Sequence, residues 1–282
     1  MTDTPNLSKR SILAGAVIAG AVASLGTPQA ARAQLLDNGI DPKSVLAKVK
    51  KGGTLQVGYA PAIPWTFKDA KSGQLRGVYK ELVDKLAADL EMAVSWREVT
   101  FADSTVALRR GDYDLFGSSA VYTPPRALVS AYIGPLWSKG TLCVVRKQDA
   151  DKYKTAADFN SPDVTFSVNA GSSEELRMPQ LFPKAKFISV NGQQGTMAAE
   201  PVRVGQATVY ASGDIDILVL AKRNPGWAHI VDPANPFDKR PSTWLVRHGD
   251  PSWKSFLDFW ALTAVGSGDV QRLYDQYLQE LT

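Results

Sequence analysis

The segment Gly111–Arg126, GDYDLFGSSAVYTPPR, constrains the fold more than any other part of this 282-residue chain. It reads as a helix end, a short buried strand, a floor of small residues and the start of a new helix. Gly111 is a C-terminal cap for the amphipathic stretch STVALRR, because glycine enters the left-handed conformation that closes a helix. Leu115 and Phe116 predict a buried strand, and Gly117, Ser118 and Ser119 leave its backbone open to a ligand. Thr123 is expected to cap the next helix, Pro124 and Pro125 fit its first turn, and Arg126 offers a planar fork to a carboxylate. These parts in this order make one wall of an anion-binding cleft. The plainer alternative is an ordinary strand-to-helix turn with a solvated arginine.

The N-terminus reads as a cleavable secretory signal peptide over residues 1–33. A polar head ends in Lys9 and Arg10, an apolar run extends from Ile12 to Leu25, and Ala31-Arg32-Ala33 precedes Gln34. The run is shorter than the roughly 20 residues of a membrane span, so the mature chain is expected to be soluble. Lys9 stands where a twin-arginine signal has its first arginine, which leaves the export route open. The single cysteine, Cys143, excludes an intramolecular disulfide and lies too far from the cleavage site for a lipid anchor, so a periplasmic location without a membrane anchor is expected. Removing the leader lowers the net charge from +4 to +2 and leaves no basic block, which argues against a nucleic-acid partner.

Along the mature chain a β-α-β rhythm runs twice. Gly53–Val57 and Val94–Val99 predict strands around a helix from Tyr79 to Leu90, followed by the helix and strand of the opening segment. Gly140–Arg146, GTLCVVR, is an extended run that carries the chain out of a first lobe. Val164–Val168, Ala185–Val190 and Ile215–Leu220 predict strands of a second lobe, with a helix opening at Ser173. Gly111-Asp112-Tyr113-Asp114 and Gly213-Asp214-Ile215-Asp216 each read as Gly-Asp-x-Asp between a helix and an apolar strand, which suggests two similar lobes. Ser242–Arg247, STWLVR, reads as the return crossover, and helices near Trp253–Val265 and Asp269–Leu281 are expected to pack on the first lobe.

Taken in order, GGTLQVGY, PWTFKD, GQLRGVYKELVDKLAADL, GDYDLFGSSAVYTPPRA, VNAGSSEE and GDIDILVL resemble the bacterial extracellular solute-binding proteins of family 3, which serve ABC transporters for polar amino acids. The resemblance implies an α/β, two-lobed periplasmic-binding-protein type II fold, each lobe a mixed sheet flanked by helices, joined by two crossover strands. Lobe 1 would comprise residues 34–142 and 245–282, and lobe 2 residues 143–244. It further implies a monomer that traps one small carboxylate-bearing solute by hinge closure and presents the closed form to a membrane permease, with no cofactor and no metal.

Carried over position by position, the resemblance makes Arg126 the anchor of the ligand carboxylate. Phe101 and Trp65 become aromatic walls, and Ser172 and Ser173 the opposing clamp. Tyr59, Ser119, Val121 and Asn169 complete the expected site. The family acid that receives a ligand ammonium falls, by spacing from Asp216, on Ala221. That departure points to a carboxylate without an ammonium group, unless Glu174 or Glu175 supplies the charge.

An enzyme is the main rival, because VNAGSSEE and VDPANPFDKRPSTWLV also resemble cyclohexadienyl dehydratase, with Glu175 as the proton-transferring carboxyl. Ser172-x-x-Glu175 is equally a helix capping box, which needs no catalysis to explain it. A receptor-signalling role would use the same closing cleft. His229 and His248 lack metal-ligand spacing, and neither a Gly-x-Ser-x-Gly elbow nor a Walker phosphate loop is present. Cys143, within LCVV, reads as a buried hydrophobe.

Overall fold

Parallel strands covered on both faces need near-continuous apolar runs, and two groups of parallel strands, each with such runs on its inner strands, form the frame of the molecule. The computed structural model describes residues 39–192 and 196–281, so the signal peptide and its cleavage site lie outside the described residues. In the first group, β1 (Thr54–Tyr59) has a small hairpin after it, β2 (Phe67–Lys68) with β3 (Leu75–Arg76). β1 is flanked in parallel by β4 (Ala93–Glu98) and β5 (Leu115–Val121), every residue of β5 being buried. β6 (Ala131–Tyr132) is a short edge, and the chain then leaves along β7 (Trp137–Arg146). In the second group, β8 (Thr165–Asn169) is flanked in parallel by β9 (Lys186–Val190) and β10 (Val209–Gly213). β11 (Ala228–Val231) pairs with β7, and β12 (Phe237–Val246) returns.

The two groups share one topology: the first strand is central, the second lies on one side and the third on the other. β7 and β12 pair antiparallel with each other. β12 also pairs with β5, and β7 with β10, so a ten-stranded sheet in the order β4-β1-β5-β12-β7-β10-β8-β9, with β6 and β11 at its side, runs through both lobes.

Local chemistry explains the flanking helices. The helix Val78–Asp89 buries Val78, Tyr79, Leu82, Val83, Leu86 and Ala87, one face at three- and four-residue spacing. The helix Phe101–Arg110 starts at Thr100, whose hydroxyl accepts from the Asp103 amide, and stops at Gly111, in the left-handed conformation at φ +82°. The helices Pro251–Gly266 and Asp269–Leu281 pack on the first lobe: Trp260 Nε1 donates to Asp89, the Tyr277 hydroxyl accepts from the Gly77 amide, and Arg76 pairs with Glu280 at 2.6 Å. Each lobe has its own core. Tyr113, Phe116 and Leu245 belong to one, and Phe159, Phe166 and Val209 to the other. Cys143 is buried in the second, as its apolar neighbours predict.

Two expectations are corrected. Residues Ile215–Leu220 are not a strand: they lie in the helix Asp214–Arg223, and the strand is the preceding β10. A short apolar run such as Ile217–Leu220 fits a buried strand and a buried helix equally, and here Asp214 and Asp216 occupy the first helical turn. The two Gly-Asp-x-Asp segments are therefore not equivalent, the first following a helix and the second a strand. Thr123 precedes the one-turn helix Pro124–Ala127 but makes no side-chain cap, and its buried hydroxyl has no hydrogen-bond partner among the described residues. Its amide donates instead to the Tyr132 hydroxyl at 3.1 Å.

Candidate functional site

Loops at the carboxyl ends of parallel strands converge where two such groups face each other, and a cleft of about 410 Å³ opens there. From the first lobe come Phe101, Ser119, Val121 and Arg126; from the second come Ser172, Ser173, Glu174, Ser212 and Asp216. A larger depression of about 890 Å³ lies along the outer face of the helix Pro251–Gly266 and shares no residue with the cleft.

Arg126 is held by backbone on both sides of the cleft. One guanidinium nitrogen donates to the Val121 carbonyl and the other to the Gly171 carbonyl, each at 2.8 Å. Arginine has five N–H donors, so three make no hydrogen bond among the described residues, on a residue that is only 8% exposed. Phe101, the first residue of its helix, stands edge-on to Phe116 at 6.3 Å and forms an aromatic wall. The Ser119 hydroxyl shares a hydrogen bond of 2.9 Å with Ser242.

Opposite Arg126, the chain turns through Gly171 at φ +73° into the helix Ser173–Leu181. The Ser172 hydroxyl accepts from the Glu175 amide at 3.2 Å, and the Glu175 carboxylate accepts from the Gly171 amide at 2.7 Å. Glu175 is thus committed to a capping arrangement, with its reciprocal bond one residue earlier than in the standard box, and it does not line the cleft. Its neighbour Glu174 does: it is 7% exposed and accepts from the Ser173 hydroxyl at 3.0 Å.

Three further expected residues stand behind the cleft. Trp65 is fully buried, packs on Tyr79 with ring centroids 4.9 Å apart, and donates from Nε1 to Asp216 at 3.1 Å. It is therefore a positioning residue for Asp216, while Pro61, Ala62 and Ile63 of its loop face the cleft. The Tyr59 hydroxyl donates to Glu98 at 2.8 Å, and burial, then the Glu98 carboxylate, push its ionisation well above the usual phenol range. Asn169 donates to the Tyr210 hydroxyl at 3.2 Å. Ala221 packs in the apolar cluster around Leu142 and Val202, away from the cleft, so the absence of an acid there says nothing about the ligand.

Sequence reasoning missed Lys139 and the role of Asp216. The Lys139 ammonium donates to Asp216 at 2.6 Å and lies 5.7 Å from the centre of the Trp65 ring, on a residue only 8% exposed. Burial opposes its charge, but Asp216, Glu174 and Asp214 outweigh burial and hold the ammonium above the usual lysine range. The available signal was a lone lysine beside the apolar run GTLCVVR. At the mouth, Lys68 pairs with Glu98 at 2.9 Å.

The family model of bacterial extracellular solute-binding proteins, family 3, matches residues 55–280, and the chain belongs to that family. Among solved structures, the ancestral amino acid-binding protein AncCDT-1, a precursor of cyclohexadienyl dehydratase, is 29% identical, with a TM-score of 0.75 over 83% of this chain and 100% of that one. The substrate-binding protein AbpA of an amino acid ABC transporter from Streptococcus pneumoniae, solved with L-arginine, is 18% identical, with a TM-score of 0.74 over 83% and 98% of the two chains. These are two-lobed type II folds. The Bacillus subtilis protein YxeM, named as a probable amino-acid-binding protein, is 21% identical over 160 residues, 57% of this chain and 59% of that relative. Among the described residues no helix is long and apolar enough to cross a membrane.

Proposed function

We propose that this protein is the periplasmic solute-binding component of an ABC transporter and captures a small carboxylate-bearing solute, an amino acid or a related organic acid, between its lobes. The observation that carries this reading is Arg126: a buried guanidinium, fixed by a carbonyl from each side of the cleft, with three N–H groups left for an anion. A charged hydrogen bond of that kind contributes roughly 1.5–3 kcal/mol, so Arg126 dominates affinity while Phe101 and Ser172 shape the cleft. Family membership and the amino-acid binders of the same fold support the solute class and the transporter partner. Lobe 2 would begin within β7 and end within β12, two strands that pair with each other and link the groups, β12 through β5 and β7 through β10.

The test is a thermal-shift screen of the mature protein against amino acids, 2-oxo acids and aromatic carboxylates, repeated with Arg126→Ala. A ligand at about 100 times its dissociation constant stabilises by roughly 2.7 kcal/mol, a visible shift. The expected result is a subset of carboxylates that shift the melting point in an Arg126-dependent way. A shift that survives Arg126→Ala, or none across the screen, refutes the reading.

A further inference from the structure

The cleft carries its own ammonium group, and that bears on what the rest of the ligand is. This inference rests on the carboxylate-binding reading above. The Lys139 side chain lies across Gly213, where an added Cβ would overlap Lys139 Cε, so its slot exists because residue 213 is glycine. Its ammonium neutralises Asp216, whose carboxylate also accepts from Trp65 Nε1 at 3.1 Å and from the Ser212 hydroxyl at 3.2 Å. A carboxylate offers about four lone-pair sites, and three are taken. Glu174 lies within the field of the same ammonium. Among the described residues Lys139 donates one hydrogen bond, leaving two N–H groups at the cleft.

The charge balance points the same way. Lys68, Arg126, Lys139 and Arg223 line the cleft against Glu98, Glu174 and Asp216, a net of +1 that a single carboxylate cancels. A solute ammonium would instead be one more cation beside Arg126 and Lys139, facing an Asp216 already engaged. Glu174, the other second-lobe carboxylate in the lining, lies in the field of Lys139, so an added ammonium would compete with that lysine for it while losing its own hydration, which is costly.

We infer that the ligand is a monoanionic carboxylic acid without an ammonium group, its carboxylate on Arg126 and a second oxygen, of the 2-oxo type, accepting from Lys139. The sequence suggested the same class from Ala221, a premise the fold removes; Lys139 supplies a different one.

The test is calorimetric titration with matched pairs, phenylpyruvate against L-phenylalanine and 4-methyl-2-oxopentanoate against L-leucine. The proteins are the wild type, Lys139→Met and the double variant Lys139→Met/Asp216→Asn, which leaves no unpaired charge if the single variant fails to fold. The expected result is an oxo acid that binds at least about tenfold tighter than its amino acid, with the preference lost in the folded Lys139 variant. An amino acid that binds as well as its oxo acid, or a ratio unchanged without Lys139, overturns the inference. Loss of amino-acid binding in Glu174→Gln would then assign the ammonium to Glu174. In those cases Arg126-dependent binding still upholds the carboxylate reading, whereas no binding by any pair, with no shift in the wider screen, removes both.

Discussion

Replacing Gly171 by alanine would separate the energetics of closure from those of folding. Gly171 sits at φ +73°, a backbone conformation that costs an alanine roughly 1–2 kcal/mol whether the lobes are together or apart. That penalty lowers the melting temperature by about 2–8 °C in a chain of this size. A second penalty exists only when the lobes meet. The new Cβ would stand 2.5 Å from the backbone nitrogen and Cα of Ala102, which belongs to the first-lobe helix Phe101–Arg110. Restoring ordinary carbon contact requires the lobes to part by about 1 Å. The 2.8 Å bond from Arg126 to the Gly171 carbonyl is then lost. A charged hydrogen bond of this kind is worth roughly 1.5–3 kcal/mol, so affinity should fall about 10- to 150-fold. Calorimetry with the best ligand of the thermal screen measures the affinity, and small-angle scattering of the liganded protein reports the separation of the lobes. An unchanged dissociation constant in a folded Gly171→Ala protein would refute the reasoning, because the lobes would then not close on this glycine.

Other perturbations test separate parts of the account. The Asp250 carboxylate caps the helix Pro251–Gly266 through the Trp253 amide at 3.0 Å and also accepts from Val45 N and Ser44 Oγ, both at 2.8 Å. Asp250→Ala should therefore cost roughly 2–3 kcal/mol, read as a drop in denaturant midpoint; a change under half of that would mean the N-terminal contacts contribute nothing. Burial pushes the Cys143 thiol far above its usual range, so an aromatic disulfide reagent at pH 8 should leave the native protein unmodified and label it on unfolding. Purified protein should release no phenylpyruvate from prephenate, since Glu175 is occupied by the Gly171 amide; turnover lost in Glu175→Gln would restore the enzyme reading. Gly213→Ala should displace Lys139 and weaken ligand binding without altering Arg126, which the matched-pair titrations detect directly.

The sequence by itself determined the elements whose ends are written in local chemistry. Gly111 closes a helix because only glycine enters the left-handed region cheaply, and Asp269–Leu281 is one helix because its apolar residues recur at helical spacing. The proposed anchor is legible for the same reason: Arg126 follows a small-residue strand and two prolines within one short segment. What local pattern cannot carry is the difference between a buried strand and a buried helix of similar apolarity. The sequence predicts a strand over Ile215–Leu220, which would put Ala221 at its end beside the cleft. The packing of the helix Asp214–Arg223 against β7 and β11 decided otherwise, and it puts Asp216, not residue 221, at the site. The resemblance makes Trp65 a wall, whereas the tertiary structure turns it inward onto Tyr79 to hold Asp216 from behind. Lys139 and Asp216 lie 77 residues apart, on a crossover strand and a second-lobe helix, and only the folding of one onto the other makes them a charged pair. The anchor proposed for the cleft is a local feature, whereas the charge balance is a property of the assembled lobes.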